Sequence, residues 1–399
     1  MWTHGSIGDA LTLIQNGVNC KQDKSGVGEK ITRIETIADS SINYEKTGFA
    51  ELDQKQKTKA ELEVGDILFS HINSPIHVGK TAVYDGKEPL FHGINLLRLR
   101  TIDAVDSSYF NMFLVSLFQS GYWKRTAKQS VNQASVNQTD IKSAPFSYPP
   151  LAEQQRIVAK LDAAFAEIDR AIEVEQSQLQ LFNQAREANL TEKFQALGDE
   201  CEFLHLSDAC TDFSRGKSKH RPRNDEKLYG KIIPFVQTGD ISNAPKYLRT
   251  YSKMYSDFGV QQSKRWNKGT VCITIAANIA ELAILDIDAC FPDSVIGAFP
   301  NSEITSSEYL FYLLNFFQKK IKGKSKGSAQ QNINLATFSD EVFPFPALKV
   351  QHKIVSEILE LETGVEEIIA CKSKKIDALE ALKSAILAQE LQPPQSEAA

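Results

Sequence analysis

The sequence predicts an α+β chain: two α/β domains, separated by two long antiparallel helices that form a coiled-coil spacer, with a pseudo-two-fold internal repeat. Three observations lead there. A sustained 4-3-4-3 apolar seam follows the double proline Pro149-Pro150. The same proline-to-helix start returns about 200 residues later, a spacing too long for a solenoid and suited to a duplicated globular unit. The segments ahead of the two starts carry the same strand, turn and helix signals in the same order.

Taken in order, residues 1–148 form the first domain. It opens Ile7-Gly8-Asp9-Ala10-Leu11-Thr12, and the second opens Leu206-Ser207-Asp208-Ala209-Cys210-Thr211, so that Asp9 meets Asp208 and Gly17 meets Gly216 at one shift. Short apolar runs follow at Ile31–Ile34 and Ile233–Val236. Turn-then-strand signals stand at Val64–Ser70 and Lys268–Thr274, and further strands at Lys80–Tyr84 and Leu282–Leu285. Aromatic helices begin near Ser107 and Ser306, with serine as the N-cap. Polar loops are expected at Lys128–Gln138 and Lys324–Asn334, and Gly17 and Gly216 read as turn formers.

Residues 149–197 make the central helix, ~65 Å long from Leu151 at 1.5 Å per residue. Its seam, which begins at Leu151, is Val158, Leu161, Phe165, Ile168, Ile172, Leu179 and Phe182, interrupted by Glu175. Residues 198–345 are the second domain and 346–391 the C-terminal helix. Its seam is Ile354, Ile358, Leu361, Val365, Ile368, Leu379, Leu382 and Ile386, interrupted by Lys372 and Lys375. The alternation of domain and helix makes the helix pair antiparallel, with one domain at either end. The tail 392–399 reads as disordered.

Composition is that of an ordinary soluble protein. No run of about 18 apolar residues suggests a membrane span, and the N-terminus lacks a signal-peptide pattern, so a cytoplasmic chain is expected. The six cysteines form no Cys-x-x-Cys pair and are expected as free thiols. The net charge of −5 is unevenly spread: each domain is near neutral, and the helices carry about −6, a surface better suited to protein than to DNA.

Little suggests catalysis. Gly79-Lys80-Thr81 ends like a phosphate loop, but Ser74 stands where the first glycine belongs and the context is strand-like. Ser147-Tyr148-Pro149-Pro150 is a near miss for an amino-methyltransferase motif, better read as a helix foot. Cys201, His205 and Cys210 fit no common zinc spacing. No metal, cofactor or catalytic residue is assigned to the chain.

The foot Pro149-Pro150-Leu151-Ala152-Glu153-Gln154-Gln155-Arg156-Ile157-Val158, its second copy at Phe345–Val355 and the repeat between them resemble the specificity (S) subunit of type I restriction-modification systems, the HsdS family. The second foot, Ala347-Leu348-Lys349-Val350-Gln351-His352, departs by lacking the Glu-Gln-Gln core. The resemblance implies a non-catalytic subunit whose two domains are target-recognition domains. Each reads half of a bipartite, asymmetric double-stranded DNA site. The helices set the spacing and dock modification (M) subunits, two of them, and restriction (R) subunits. S-adenosylmethionine, ATP and Mg belong to those partners.

Under that resemblance the phosphate-contacting candidates are Arg215, Lys217, Lys219, Arg221 and Arg223, then Lys322, Lys324 and Lys326, with Lys21, Lys24, Lys124, Arg125 and Lys128 in the first domain. Base-reading candidates are Gln129, Gln133, Asn137, Gln330, Gln331 and Asn332, since Asn and Gln suit adenine. The alternatives are a coiled-coil scaffold whose domains bind proteins, and a specificity subunit of a methylation-only or fused system.

Overall fold

A computed structural model of the chain describes residues 1–37, 41–130, 133–197, 201–276, 279–325, 335, 338 and 341–393. Two units emerge. Met1–Gln176 with Ser373–Ala399 make the first, and Ser177–Lys372 the second. Each holds one α/β domain and a segment of each long helix.

In unit one, Leu11–Asn16, Leu97–Thr101, Ile67–Phe69 and Thr81–Val83 form an antiparallel sheet in that spatial order. In unit two, Cys210–Arg215, Val295–Pro300, Val271–Thr274 and Leu282–Leu285 repeat the order, and Tyr247–Leu248 adds a parallel edge. The turns expected before Ile67 and Val271 carry Gly65 and Gly269 at φ +91° and +93°, a conformation that costs glycine nothing. The aromatic helices are Ser107–Gln119 and Ser307–Ser325. Ser306 caps the second as expected, through a hydroxyl that accepts from the Tyr309 amide. The first is capped by Asp106 instead, whose carboxylate takes the Tyr109 amide and adds favourable charge at the N-terminus. Two loop expectations need correction. Lys128–Ser130 and Gln133–Ser135 pair as a hairpin, and residues up to Ser325 continue the second aromatic helix.

The long helices are Leu151–Gln195 and Leu348–Glu390. Their feet belong to the domain cores. Ile157 and Leu161 pack with Phe69, Tyr109, Phe146 and the distal Leu387 and Leu391 of the second helix. Ile354, Val355 and Ile358 pack with Tyr309, Leu313, Phe343 and the distal Phe194 of the first. One buried glutamine fixes each foot. Gln154 accepts from the Asp106 amide (2.8 Å) and donates to the Ala104 (2.9 Å) and Pro149 (2.8 Å) carbonyls. Gln351 accepts from the Thr305 hydroxyl (2.9 Å) and donates to the Ile304 (2.7 Å) and Pro346 (2.8 Å) carbonyls. The second foot therefore keeps the glutamine that matters; what it lacks are the outward neighbours Glu153 and Gln155, of which Glu153 pairs with Arg156 on the surface.

Within each unit the helix segments pair in opposite directions. In unit one Lys160 meets Glu390, Asp169 meets Lys383 and Glu175 meets Lys375. In unit two Gln178 meets Lys372, Arg186 meets Glu362 and Lys193 meets Glu357. The polar residues that interrupt the two seams thus face one another. Leu161, Ile168, Ile354, Ile358 and Val365 are buried, and Val158, Phe165, Ile172, Leu179, Phe182, Leu361, Leu379 and Ile386 half-buried. Leu151, Ile368 and Leu382 are exposed, off the seam. The cause is a phase shift: past Val365 Ile369, Ile376 and Lys383 turn inward in place of Ile368, Lys375 and Leu382, while Lys372 and Leu379 stay on the inward face. The tail beyond Pro393 lies outside the described residues.

Replacing Gln154 by Leu leaves buried backbone groups unpaired and will cost about 3 kcal/mol, seen as earlier urea unfolding and faster hydrogen exchange at Leu151–Val158. Glu175→Lys and Lys375→Glu will each destabilise by about 2 kcal/mol, and the double reversal will recover at least half; additive losses in that cycle would deny the pairing.

Candidate nucleic-acid interface

In both domains the first sheet strand ends at a glycine against a neighbouring backbone. Gly17 is buried, and a Cβ there would collide with the Gly93 and His92 carbonyls. Gly216 would collide likewise with Phe291 and Pro292. Neither has a positive φ, so these glycines permit close approach and are not the turn formers the pattern suggested. Val18 donates to the His92 carbonyl (2.9 Å), and Lys217 to that of Phe291 (3.0 Å). Each contact fixes the loop after the first strand beside the loop before the last strand, and a cleft opens there.

The unit-one cleft, about 710 Å³, is lined by Asn16, Asn95, Asn73, Gln133 and His71 among Ile34, Ile72 and Ile94. Asn16 and Asn95 are exposed. Asn73 is held by its own loop, donating to Ser70 Oγ (3.0 Å) and accepting from the Ser74 amide (2.8 Å). Burial lowers the His71 pKa, which keeps the ring neutral, and its Nδ1 finds no partner among the described residues. A carboxamide offers one donor and one acceptor side by side, the pattern that matches adenine N6 and N7, while isoleucines suit a thymine methyl.

The unit-two cleft, about 440 Å³, touches the same pair of loops at Ser218, Pro292 and Ser294, but lies against the strands Tyr229–Phe235 and Lys253–Tyr255 and has different chemistry. Arg223, Lys253, Tyr229, Tyr255, Gln237 and Thr238 line it. Lys253 Nζ stands 4.7 Å from the Tyr229 ring centre, and Arg223 pairs with Asp293 at 2.7 Å with both half exposed. Beside it, Asp225 is held below its ordinary pKa by the Lys227 amide and by His220.

Of the expected contact residues, Gln133 and Arg223 line the clefts. Lys21 and Lys24 lie exposed beyond Gly17, and Lys128 and Gln129 are exposed on the hairpin, Gln129 donating to the Lys124 carbonyl (3.3 Å). Lys124 and Arg125 sit exposed on the short helix Tyr122–Thr126, Arg125 holding the Ser120 carbonyl (2.8 Å). Arg215, Lys217 and Lys219 are exposed, and Arg221 folds back onto the Ser218 (2.7 Å) and His220 (2.8 Å) carbonyls. Asn137 is a helix cap, accepting from the Asp140 amide at 2.8 Å. Lys322 and Lys324 fall on the aromatic helix and not in a loop, and Lys326, Gln330, Gln331 and Asn332 lie outside the described residues. Sequence reading missed Asn16, Asn95, Lys253 and Tyr229; only the matched Gly17 and Gly216 beside the cleft loops could have pointed there.

The weaker motifs resolve locally. Gly79 packs on Trp123, and Thr81 opens an antiparallel strand, so Gly79-Lys80-Thr81 is not a strand–loop–helix phosphate site. His205 Nδ1 lies 3.0 Å from the Glu341 carbonyl, and burial pushes the Cys210 thiol up to about 12. Among the described residues, no helix is long and apolar enough to cross a membrane.

The family model for the type I restriction modification DNA specificity domain matches the chain twice, over residues 2–178 and 199–380. The chain belongs to that family. This specificity subunit is 29% identical to a candidate specificity subunit of the type I restriction enzyme MjaX from Methanocaldococcus jannaschii, across 97% of this chain and 92% of that one. It is 27% identical to the EcoKI specificity subunit of Escherichia coli K12 over 40% of this chain and 35% of that one. A solved chain from a type I restriction-modification system shares the fold with a TM-score of 0.77, at 16% identity over 98% of this chain and 97% of that one. As a specificity subunit, the chain is a recognition component and not a catalytic one.

Gly17→Ala will overpack the backbone crossing that shapes the unit-one cleft and lower stability by about 1–3 kcal/mol in urea titration, as will Gly216→Ala in unit two.

Proposed function

We propose that the chain selects the DNA on which a type I restriction-modification complex acts, each domain reading one half of a bipartite, asymmetric double-stranded site. One observation carries this reading: a cleft stands at the same pair of loops in both domains, after the first sheet strand and before the last, lined by carboxamides in unit one and by Arg, Lys and Tyr beside Asn224 and Gln237 in unit two. Equal placement supports a shared task. Unequal lining supports two different half-sites on one chain, without a dimer.

Under this reading the two long helices form an antiparallel coiled-coil spacer, and a pseudo-two-fold axis relates the domains. The helices set the gap between half-sites and dock two modification subunits and the restriction subunits. S-adenosylmethionine binds the former, and ATP with Mg the latter; this chain's own residues bind, orient and select. Half-sites one DNA turn apart are about 34 Å apart, a separation that a long helix pair spans. Exposed Lys217 and Lys219, beside the unit-two cleft, act on phosphates and position the duplex without reading it.

Mapping methylated adenines across a host genome with and without the gene tests the reading. One motif of two short half-sites with a fixed gap will disappear with the gene. An unchanged map in cells that express the modification partner favours the scaffold alternative. Alanine at Lys217 and Lys219 will weaken DNA binding by the assembled complex equally for all sequences and reduce the salt slope by about one for each phosphate that is no longer neutralised. The complete methyltransferase will hold two modification subunits per chain; a measured ratio of one contradicts the two-fold relation.

A further inference from the structure

Unit one contains a second cleft, about 740 Å³, among the aromatic helix and the two long helices. The apolar part of its lining is Val83, Met112, Val115, Phe165, Ile172 and Leu387. Its polar lining is unbalanced. Asn111 is only 9% exposed, and its Oδ1 accepts no hydrogen bond from any described residue. Asp162 and Glu380 also line the cleft without a paired cation among the described residues. The other acid, Asp169, is already taken by Lys383 at 2.6 Å. Burial, then the charge of Asp106, raises the Asp162 carboxyl above its ordinary value, as expected where a carboxylate lacks its counterion.

The equivalent cleft of unit two also holds a carboxamide oxygen, Asn189 Oδ1, without a partner among the described residues, but its carboxylate Glu362 is paired. It measures about 230 Å³, with Tyr312 at the position of Met112. Tyr312 donates to Glu362 and receives Lys246 Nζ at 2.8 Å, while Arg186 stands 3.8 Å from the same carboxylate. There the chain supplies its own cations.

We propose that the unit-one cleft receives an Arg or Lys side chain, flanked by apolar residues, from a partner polypeptide. Three acceptors await donors, and a guanidinium or ammonium supplies only donors. The apolar walls fit the methylene stem and its neighbours. The volume is that of a ligand pocket, more than one bare cation would fill. That the polypeptide is a modification subunit rests on the docking role given above.

The test titrates the modification subunit of the same system into the full-length chain, wild type and variant, at low and high salt. Asp162→Lys and Glu380→Lys will each weaken binding at least tenfold, and wild-type affinity will fall with salt. Glu173→Lys, exposed on the same helix outside the cleft, will bind as wild type. Asp162 and Glu380 are both exposed, so neither lysine enters the core and the test stays decisive. Equal affinities for all four proteins overturn the cleft proposal and leave docking on the helices standing. No complex with the wild-type chain removes the docking role, and the cleft proposal with it.

Discussion

The structure depends on two buried glutamines. A helix of more than forty residues can leave a domain at any angle unless its first turn is tied down. Gln154 and Gln351 each join the proline carbonyl that opens the helix to the loop that starts the aromatic helix. The apolar contacts of Ile157, Leu161, Ile354 and Ile358 bury each foot, and the carboxamide adds the directional bonds that apolar packing lacks. With the feet fixed, the seam residues of each segment inherit their orientation from the domain beneath.

What was legible in the sequence was whatever recurs or alternates. The duplicated start, the strand runs around Ile67 and Val271 and the long helices carry patterns set by backbone geometry, and the structure has all of them. Less legible were features that depend on the third dimension. Ile368 and Leu382 continue a heptad on paper, but the helix drifts past Val365 and turns them outward, while Ile369 and Ile376 turn inward. The unit-one cleft gathers Asn16, Asn73, Asn95 and Gln133 from well-separated segments, and nothing periodic links them. Basic runs gave the surface charge, but not that Arg221, from one of them, and the base-reading candidate Asn137 hold nearby backbone with their side chains.

The polar interruptions of the seams follow from the same geometry. Glu175 is nearly buried and would be costly alone; Lys375 reaches it at 2.6 Å with its stem largely in solvent. Apolar seams slide by a turn at little cost, whereas a slipped seam would leave Glu175 without its cation. The pair therefore serves alignment more than stability.

The division of the chain into units bears on the order in which it matures. Unit two is one continuous stretch, Ser177–Lys372, whereas unit one is split between Met1–Gln176 and the segment from Ser373 onward. Leu387 and Leu391 complete the core that Ile7, Phe69 and Leu161 begin. During synthesis the domain made first therefore waits for the last helix turns before its core closes, while the domain made second has all its residues earlier. Apolar surface around Leu161 stays open to water, or to a chaperone, through that interval, and a chain cut short near Lys372 would strand the N-terminal domain and not the C-terminal one.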